Sequence, residues 1–373
     1  PQFVLEEGDI VFGRKGAINR NAIVMKSQAG WFLGSDGIRL RLTEKHDPAF
    51  FSYFLRTTMI GQWLLSNGQG AIMPSLNQKI LDRLPLFLPS KAEQKQISAV
   101  LTALDAKIEL NQRINAELEG MAKLLYDYWF AQFDFPMTAA QAAALGKPHL
   151  TGHPYRASGG PMIFSPEMKR NIPEAWKVGD LSELCSTVRG VTYSKADVRG
   201  PADENIIPIL RATNVNNGVV DLSDLVFVTD DMPSEEQFLE KFDILIVMSS
   251  GSKAHVGKNA LYCHNRKVAY GAFCSKIVPS EACRFFVSVH LQKDAFKKYI
   301  SNVCLGTNIN NLTNGHITGH RLVIPQQAQL LAFENTVKSF FEKIACNHQQ
   351  NQELTQLRDW LLPMLMNGQV TVG

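Results

Sequence analysis

Residues 50–125 are written a second time, 236 positions later. Phe50, Gly70, Leu76, Pro89, Lys107, Ile108, Asn111, Asn115, Glu117, Leu118 and Leu125 reappear as Phe286, Gly306, Leu312, Pro325, Lys343, Ile344, Asn347, Asn351, Glu353, Leu354 and Leu361. Aligned without a gap, 50–125 and 286–361 share 15 identities in 76 positions, and many other pairs stay apolar. So long a period is far beyond that of a solenoid, so the duplicated unit is a whole domain plus a helix. A chain built twice is expected to do one job at two places.

A length of 373 residues leaves room for two or more full cores, and 45% apolar with 20% charged residues is ordinary for a globular protein. The net charge of +3 gives no global basic field, so a polyanion would have to be met by local patches. All six cysteines lie from Cys185 onward, without C-x-x-C or metal-ligand spacing, and read as free thiols in a reducing cytoplasm. No apolar run approaches the ~18 residues of a membrane span, and no signal peptide is evident. The chain starts at Pro1, without a methionine, which reads as a fragment or a processed product.

Short apolar alternations broken by glycine predict strands at Ile10-Val11-Phe12, Ala22-Ile23-Val24 and Gly37-Ile38-Arg39-Leu40. A helix-like stretch, 48–66, and the apolar run from Leu84 to Pro89 follow. From Ser90 the period changes: Ile97, Leu101, Leu104, Ile108, Asn111, Asn115, Leu118, Ala122 and Leu125 form a heptad seam. Glu93, three residues after Ser90, fits an N-terminal capping box. At 1.5 Å per residue the helix over 90–130 would run roughly 60 Å. Residues 131–171 hold the prolines and glycines of a linker, and a second mixed strand and turn domain covers 172–325. The second heptad helix and tail occupy 326–373, with Phe333, Val337, Phe340, Ile344, Asn347, Asn351, Leu354 and Leu361 in the seam and Pro363 bending or ending it.

Neither long helix buries its stripe alone, so the two are expected to pack together. Asn111 and Asn115 on one, Asn347 and Asn351 on the other, sit near the midpoints, where seam asparagines cost stability and fix register. An antiparallel pair with a pseudo-twofold puts them at one central level; a parallel pair would also align them.

Catalytic chemistry is poorly represented. There is no dinucleotide or phosphate-loop glycine spacing, no H-E-x-x-H among the nine histidines, and no Asn/Asp-Pro-Pro-aromatic motif of a base-methylating enzyme. No catalytic residue and no metal ligand is therefore expected. Binding chemistry is richer. Segments 13–21 and 249–259 each follow a Leu-Glu-x-x-Asp-Ile strand and precede a short apolar strand. The first offers Arg14, Lys15, Asn19 and Arg20; the second offers Lys253, His255, Lys258 and Asn259. A third segment, 208–218, runs from a strand into an Asn-rich turn with Arg211, Asn214 and Asn216. Arginine grips guanine and asparagine grips adenine with paired hydrogen bonds, while lysine and serine hold phosphates. The same residues also favour plain turns. A shared frame with divergent tips is what two readers of different sequences need.

Together these residues resemble the specificity subunit of bacterial type I restriction–modification systems. The resemblance rests on Ile172-Pro-Glu-Ala-Trp176, Pro208-Ile-Leu-Arg-Ala-Thr-Asn214, Tyr126-Asp-Tyr-Trp-Phe130 with Gln132-Phe-Asp-Phe135, and the ending from Leu357 to Gln369, in that order around two heptad helices. It implies duplicated α/β (α+β) target-recognition domains, each reading half of a split DNA target, joined by an antiparallel coiled coil that acts as a ruler. It also implies double-stranded DNA, two methylation subunits and, through the complex, restriction subunits as partners. S-adenosylmethionine, ATP and magnesium would belong to those subunits. The exposed helix faces, with Tyr126, Tyr128, Trp129 and Phe130, are the expected docking surface. One departure stands out: 71 residues (172–242) precede Asp243, but eight precede the equivalent Asp9, so the first recognition domain is expected to lack its N-terminal half. The rival readings are a protein-binding adaptor with two binding domains on a spacer, and a fused methyltransferase fragment.

Overall fold

The computed structural model describes residues 3–70, 73–216, 218–304 and 310–372; Gly306 of the repeat and Asn217 of the Asn-rich turn lie outside these. The chain divides into two compact units, Pro1–Arg113 with Gln350–Gly373, and Ile114–Gln349.

In the first unit the apolar alternations form β1 (Ile10–Gly13), β2 (Asn21–Ile23) and β3 (Gly37–Leu40). They make an antiparallel sheet in the order β2-β1-β3, with Ile10 opposite both Ile23 and Leu40. The 48–66 stretch is two helices, α1 (Pro48–Phe54) and α2 (Thr58–Asn67), and α3 (Gln78–Leu81) follows. Asp47 and Asn77 cap α1 and α3 by accepting the backbone N–H three residues on, as short polar side chains do at helix starts. Ile10, Phe12, Phe50, Phe54 and Leu64 close a core that also takes Leu101, Leu365 and Met366. The long helix α4 (Lys91–Tyr126) opens on the expected capping box: Ser90 N–H donates to Glu93 Oε2 at 2.8 Å and Glu93 N–H to Ser90 Oγ at 3.3 Å.

The segment expected as a linker, 131–171, is folded into the second unit. It carries α5 (Ala139–Ala144) and β4 (Met162–Ser165), the latter paired with β5 (Arg170–Pro173). Phe133, Phe135, Met137 and Tyr155 are buried, and Phe135 stacks on Trp176 at 4.9 Å. The apolar residues among the prolines and glycines therefore decide its state. Beyond it come β6 (Lys177–Asp180), β7 (Cys185–Arg189), β8 (Ile206–Leu210), β9 (Val215–Asn216), β10 (Val219–Val220) and β11 (Val226–Thr229). Then follow β12 (Ile244–Val247), β13 (Ser249–Ser250), β14 (Asn259–Leu261), β15 (Ala269–Tyr270) and β16 (Cys274–Pro279). The unit continues through α6 (Arg284–Gln292), α7 (Asp294–Val303), β17 (Asn310–Asn311), α8 (Asn314–Thr318) and β18 (Arg321–Ile324). Its main sheet runs β7-β16-β12-β14-β10-β9, beside a smaller sheet β11-β8-β15.

The duplication is topological as well as textual. The order β14-β12-β16 repeats β2-β1-β3, and Ile244 faces Leu261 and Ile277 as Ile10 faces Ile23 and Leu40. With Asp9 set on Asp243 and Val4 on Phe238, residues 172–234 have no counterpart among residues 1–8. In the second unit β6 pairs with β18, β7 with β16 and β8 with β15. In the first, β3 ends its sheet, Phe87 of the 84–88 run is 66% exposed, and Phe32, which bridges Val4 as Ala269 bridges Phe238, is 76% exposed.

The second long helix, α9 (Gln327–Met366), continues for three residues past Pro363, whose missing N–H falls in the last turns. Within the first unit Asp105 accepts from Arg358 and Asn111 donates to Asn351, so one number rises as the other falls. Within the second, Asn347 Nδ2 donates to Asn115 Oδ1 at 2.7 Å and Trp129 meets Phe333 at 5.8 Å. Both runs are antiparallel. The aromatic cluster expected as a docking surface is mostly core: Tyr126, Trp129 and Phe130 are buried against Phe286, Phe333 and Trp176, and only Tyr128 is exposed. Aromatic rings at a helix end bury large areas, and here the adjoining domain supplies the cover.

Candidate nucleic-acid interface

Each expected loop hangs from the same latch. Asp9 and Asp243 are buried, and each accepts the N–H of the residue three before it (Glu6, Glu240) at 2.8 Å. The residue before each aspartate sits in the left-handed region, Gly8 at φ +86° and Phe242 at φ +73°. A phenylalanine there is strained; its ring is held edge-on against Phe285 at 5.3 Å. A strand cation completes the latch: Arg39 Nη1 donates to Val4 O at 2.9 Å, and Lys276 Nζ to Phe238 O at 2.9 Å. Arg41 adds a two-pronged pair to Asp9, at 2.7 Å to each oxygen. These hydrogen bonds hold the Asp9 carboxyl below its usual range against the opposing effect of burial. At Asp243 burial dominates and raises it, although Lys276 lies 3.4 Å away.

From this latch the two loops rise with the same anchors. Ile18 and Val256 are buried, and Asn21 and Asn259 open the next strand. Between the anchors the tips differ. In the first unit Arg14, Lys15, Asn19 and Arg20 are all exposed, and none of the three cations has an ion-pair partner among the described residues. Gly16, at φ +78°, supplies the turn that presents them. In the second unit Lys253 and His255 are exposed and Lys258 is half-buried, again without ion pairs among the described residues. Gly257 has φ +80°, and an added Cβ would lie 2.6 Å from Ile300 Cγ2.

The Asn-rich turn is less available than its residue types imply. Asn214 is buried: its Oδ1 accepts Arg211 N–H, and its Nδ2 donates to Asp221 O and Ser223 O. It shapes the turn and has no donor left for a base. Arg211 is held by Asp224, Nη2 to Oδ2 at 2.7 Å, so reaching a base would break that pair. Asn216 is exposed, with Nδ2 on Thr213 O. Asn259 is only 7% exposed; its Nδ2 donates to Gly257 O and Leu291 O, while Oδ1 has no partner among the described residues.

Beside the second loop lies a cleft of about 680 Å³, lined by Lys253, Lys258 and Asn259, and by Lys123, Glu119 and Lys297. The last three were not singled out from the sequence. Lys123 is 130 positions from Lys253 and Lys297 is 44 away, and no periodicity ties either to the loop. Among the described residues no group of three or more His, Cys, Asp or Glu is placed to hold a metal ion. No helix of the described residues is long and apolar enough to cross a membrane.

The family model described as type I restriction modification DNA specificity domain matches residues 1–120. The chain is 32% identical over 211 residues to the type I restriction enzyme EcoKI specificity subunit of Escherichia coli (strain K12), covering 54% of this chain and 44% of that one. It is 24% identical over 348 residues to the type I restriction enzyme HindI specificity subunit of Haemophilus influenzae, covering 82% of this chain and 73% of the other. It spans less than half the length of the first curated relatives it matches, 44% and 45%. The crystal structure of a type I restriction-modification system S subunit from M. genitalium shares the fold, with a TM-score of 0.55 at 15% identity over 97% of this chain and 84% of that one. Residues 1–120 are thus similar to the type I restriction modification DNA specificity domain, and the similarity to type I specificity subunits extends over most of the chain.

Proposed function

We propose that this chain is a non-catalytic, sequence-specific DNA-binding subunit that reads a bipartite target and directs partner methylation and restriction subunits to it. One observation carries the reading. The same Asp latch, in two units of one chain, presents loops whose anchors match and whose exposed tips hold different cations without ion pairs among the described residues. A constant frame with variable basic tips is suited to two half-sites. Lys and Arg side chains on phosphates position the duplex, and tip side chains at the base edges choose among sequences. In this reading the partners are double-stranded DNA, two methylation subunits and, through the complex, restriction subunits. S-adenosylmethionine, ATP and magnesium act on those subunits, in the cytoplasm of a bacterium.

The burial of Asn214 and the pairing of Arg211 move the weight of base reading to Arg14, Asn19 and Arg20 in the first unit, and to Lys253, His255 and Asn216 in the second. Selection from a random duplex pool, using the chain reconstituted with methylation subunits, is expected to enrich a split sequence. Replacing Arg14 and Lys15 together by Ala should reduce the slope of log affinity against log salt by about 0.9 for each phosphate that is no longer neutralised. Absence of enrichment, together with no mobility shift at low salt, would overturn the reading in favour of a protein-binding adaptor.

A further inference from the structure

The cleft of the second unit has chemistry that the recognition loop alone does not explain. Four lysines line it, Lys253 and Lys258 from the loop, Lys123 from α4 and Lys297 from α7, against one carboxylate, Glu119. Two of the four are already partnered. Lys123 stands 3.7 Å from Glu119, one helical turn back, and Lys297 stands 3.2 Å from the fully exposed Asp294. The Lys297–Asp294 pair faces solvent, a kind that is worth little and exchanges readily. Lys123 and Glu119 are half-buried, and burial pushes the Glu119 carboxyl up, which weakens its hold on Lys123. Lys253 and Lys258 have no ion pair among the described residues. Into the same cleft the unit brings Asn259, 7% exposed, whose Oδ1 is buried without a donor among the described residues. An unmet buried acceptor is destabilising, and a ligand that brings a donor removes that cost.

The occupant must therefore carry negative charge for the lysines and an N–H or O–H donor for Asn259. A backbone phosphodiester alone has the first and lacks the second. A nucleotide has both, since cytosine and adenine present amino groups at their edges. We propose that this cleft holds a nucleotide of the bound DNA strand, with Lys297 and Lys123 holding phosphates outside the recognition loop and Asn259 Oδ1 accepting from a base amino group. A DNA strand is favoured over a free nucleotide because the cleft shares Lys253 and Lys258 with the loop assigned to DNA. A strand engaging that loop thus already places phosphates at its mouth. The inference rests on the proposed function and adds a long helix to the DNA-binding surface.

The test uses the full chain and four variants: Lys297→Gln, Lys123→Gln, the double Gln variant, and Lys297→Arg. Binding to a fixed duplex is measured across a salt series, and binding of dAMP, dCMP and ATP is measured in parallel. Each Gln substitution is expected to reduce the salt slope by about 0.9, the double by about twice that, with the selected sequence unchanged; Lys297→Arg should restore the slope. If the unaltered chain binds duplex with a steep salt dependence and both Gln variants keep its slope, the cleft assignment fails while the DNA reading stands. If free nucleotide binds and that binding, not duplex binding, is lost in Lys297→Gln, the cleft belongs to a free nucleotide. If the unaltered chain binds no duplex at any salt, both readings fall together.

Discussion

The paired asparagines in the second unit allow a sharp test of what a polar layer does in a long helix pair. Asn347 is fully buried and Asn115 is 5% exposed. One hydrogen bond of 2.7 Å joins them, and Asn115 Nδ2 and Asn347 Oδ1 are left buried without partners among the described residues. Replacing Asn347 alone by Leu removes one orphan with its residue but creates another, because Asn115 Oδ1 loses its donor. The count of unmet atoms stays at two, and the single variant loses only the bond, about 1 kcal/mol. Replacing both by Leu removes both orphans, each worth about 1–3 kcal/mol, at the cost of that one bond. The double variant is therefore expected to be more stable than the parent by at least about 1 kcal/mol, while each single is less stable by about 1.

Hydrogen exchange read by mass spectrometry on peptides covering 112–120 and 343–350 suits the measurement, since a two-unit chain has no single unfolding free energy. Protection should fall in each single variant and rise above the parent in the double. Additive effects, with the double less protected than either single, would sink the pairing: the asparagines would then act independently, each satisfied by water. The register role is a separate readout. A Leu–Leu layer tolerates sliding that an Asn–Asn bond opposes, so a stabilised double variant with two interconverting registers is the expected signature of that role.

Two further outcomes follow from the second unit. His290 and His320 are buried with their Nε2 atoms 3.0 Å apart, and His290 also bonds Tyr126; burial pushes them down to about 3 and about 4, and His348 down to about 4. Their folded pKa values lie below the unfolded one, so the unfolded chain takes protons first. Their stabilisation is complete above about pH 6.5 and is lost as pH falls, by up to ~1.4 kcal/mol per pH unit for each. Glu334, pushed up to about 7 by burial despite accepting Phe285 and Phe286 N–H, acts in the opposite sense between about pH 7 and 4.5 and offsets roughly one histidine. Urea unfolding of the second unit should therefore move to lower urea from pH 6.5 to 5, and an unchanged midpoint would contradict the burial of these rings. Gly257→Ala places a Cβ 2.6 Å from Ile300 Cγ2 at φ +80°, so the unit should lose about 1–3 kcal/mol, read as a lower urea midpoint and weaker duplex binding than the parent. Unchanged values would mean that the loop repacks without strain.

Much of the frame was legible because it rests on local pattern. The heptad seams, the Ser90–Glu93 box, the three strands of the first unit and the paired Asp-Ile loops all appear where spacing puts them. The misses share one cause, that exposure is a tertiary property. Tyr126, Trp129 and Phe130 read as a sticky helix end because the residues that cover them, Phe286 and Phe333, lie far along the chain. Residues 131–171 read as a linker from their prolines and glycines, while Phe133, Phe135 and Tyr155 held the contrary signal. Asn214 was matched to a base by its side-chain chemistry, yet the turn's own backbone groups take every bond it makes. Lys123 and Lys297 gave no signal at all, because helices separated in sequence bring them to the loop.

The latch explains how loops can diverge while the strands beneath them do not. In each copy an aspartate fixes the backbone three residues back, and a cation from the strand alongside ties the carbonyl just before the motif. The cation changes from Arg39 to Lys276 and the left-handed position from Gly8 to Phe242, yet the bonds keep the same lengths and partners. These bonds lie at the foot of the loop, and the apolar anchors Ile18 and Val256 lie at its far end. The exposed side chains between the two have no duty to the core, although the backbone there is bonded to neighbouring segments. Substitutions of those side chains therefore change charge and hydrogen-bonding groups at little cost in stability. The same logic separates the tips from Asn214, which is also near a loop but is bonded into the frame. Recognition chemistry is accordingly expected to vary in the exposed side chains between latch and anchor and to stay fixed where the latch and anchors hold the chain.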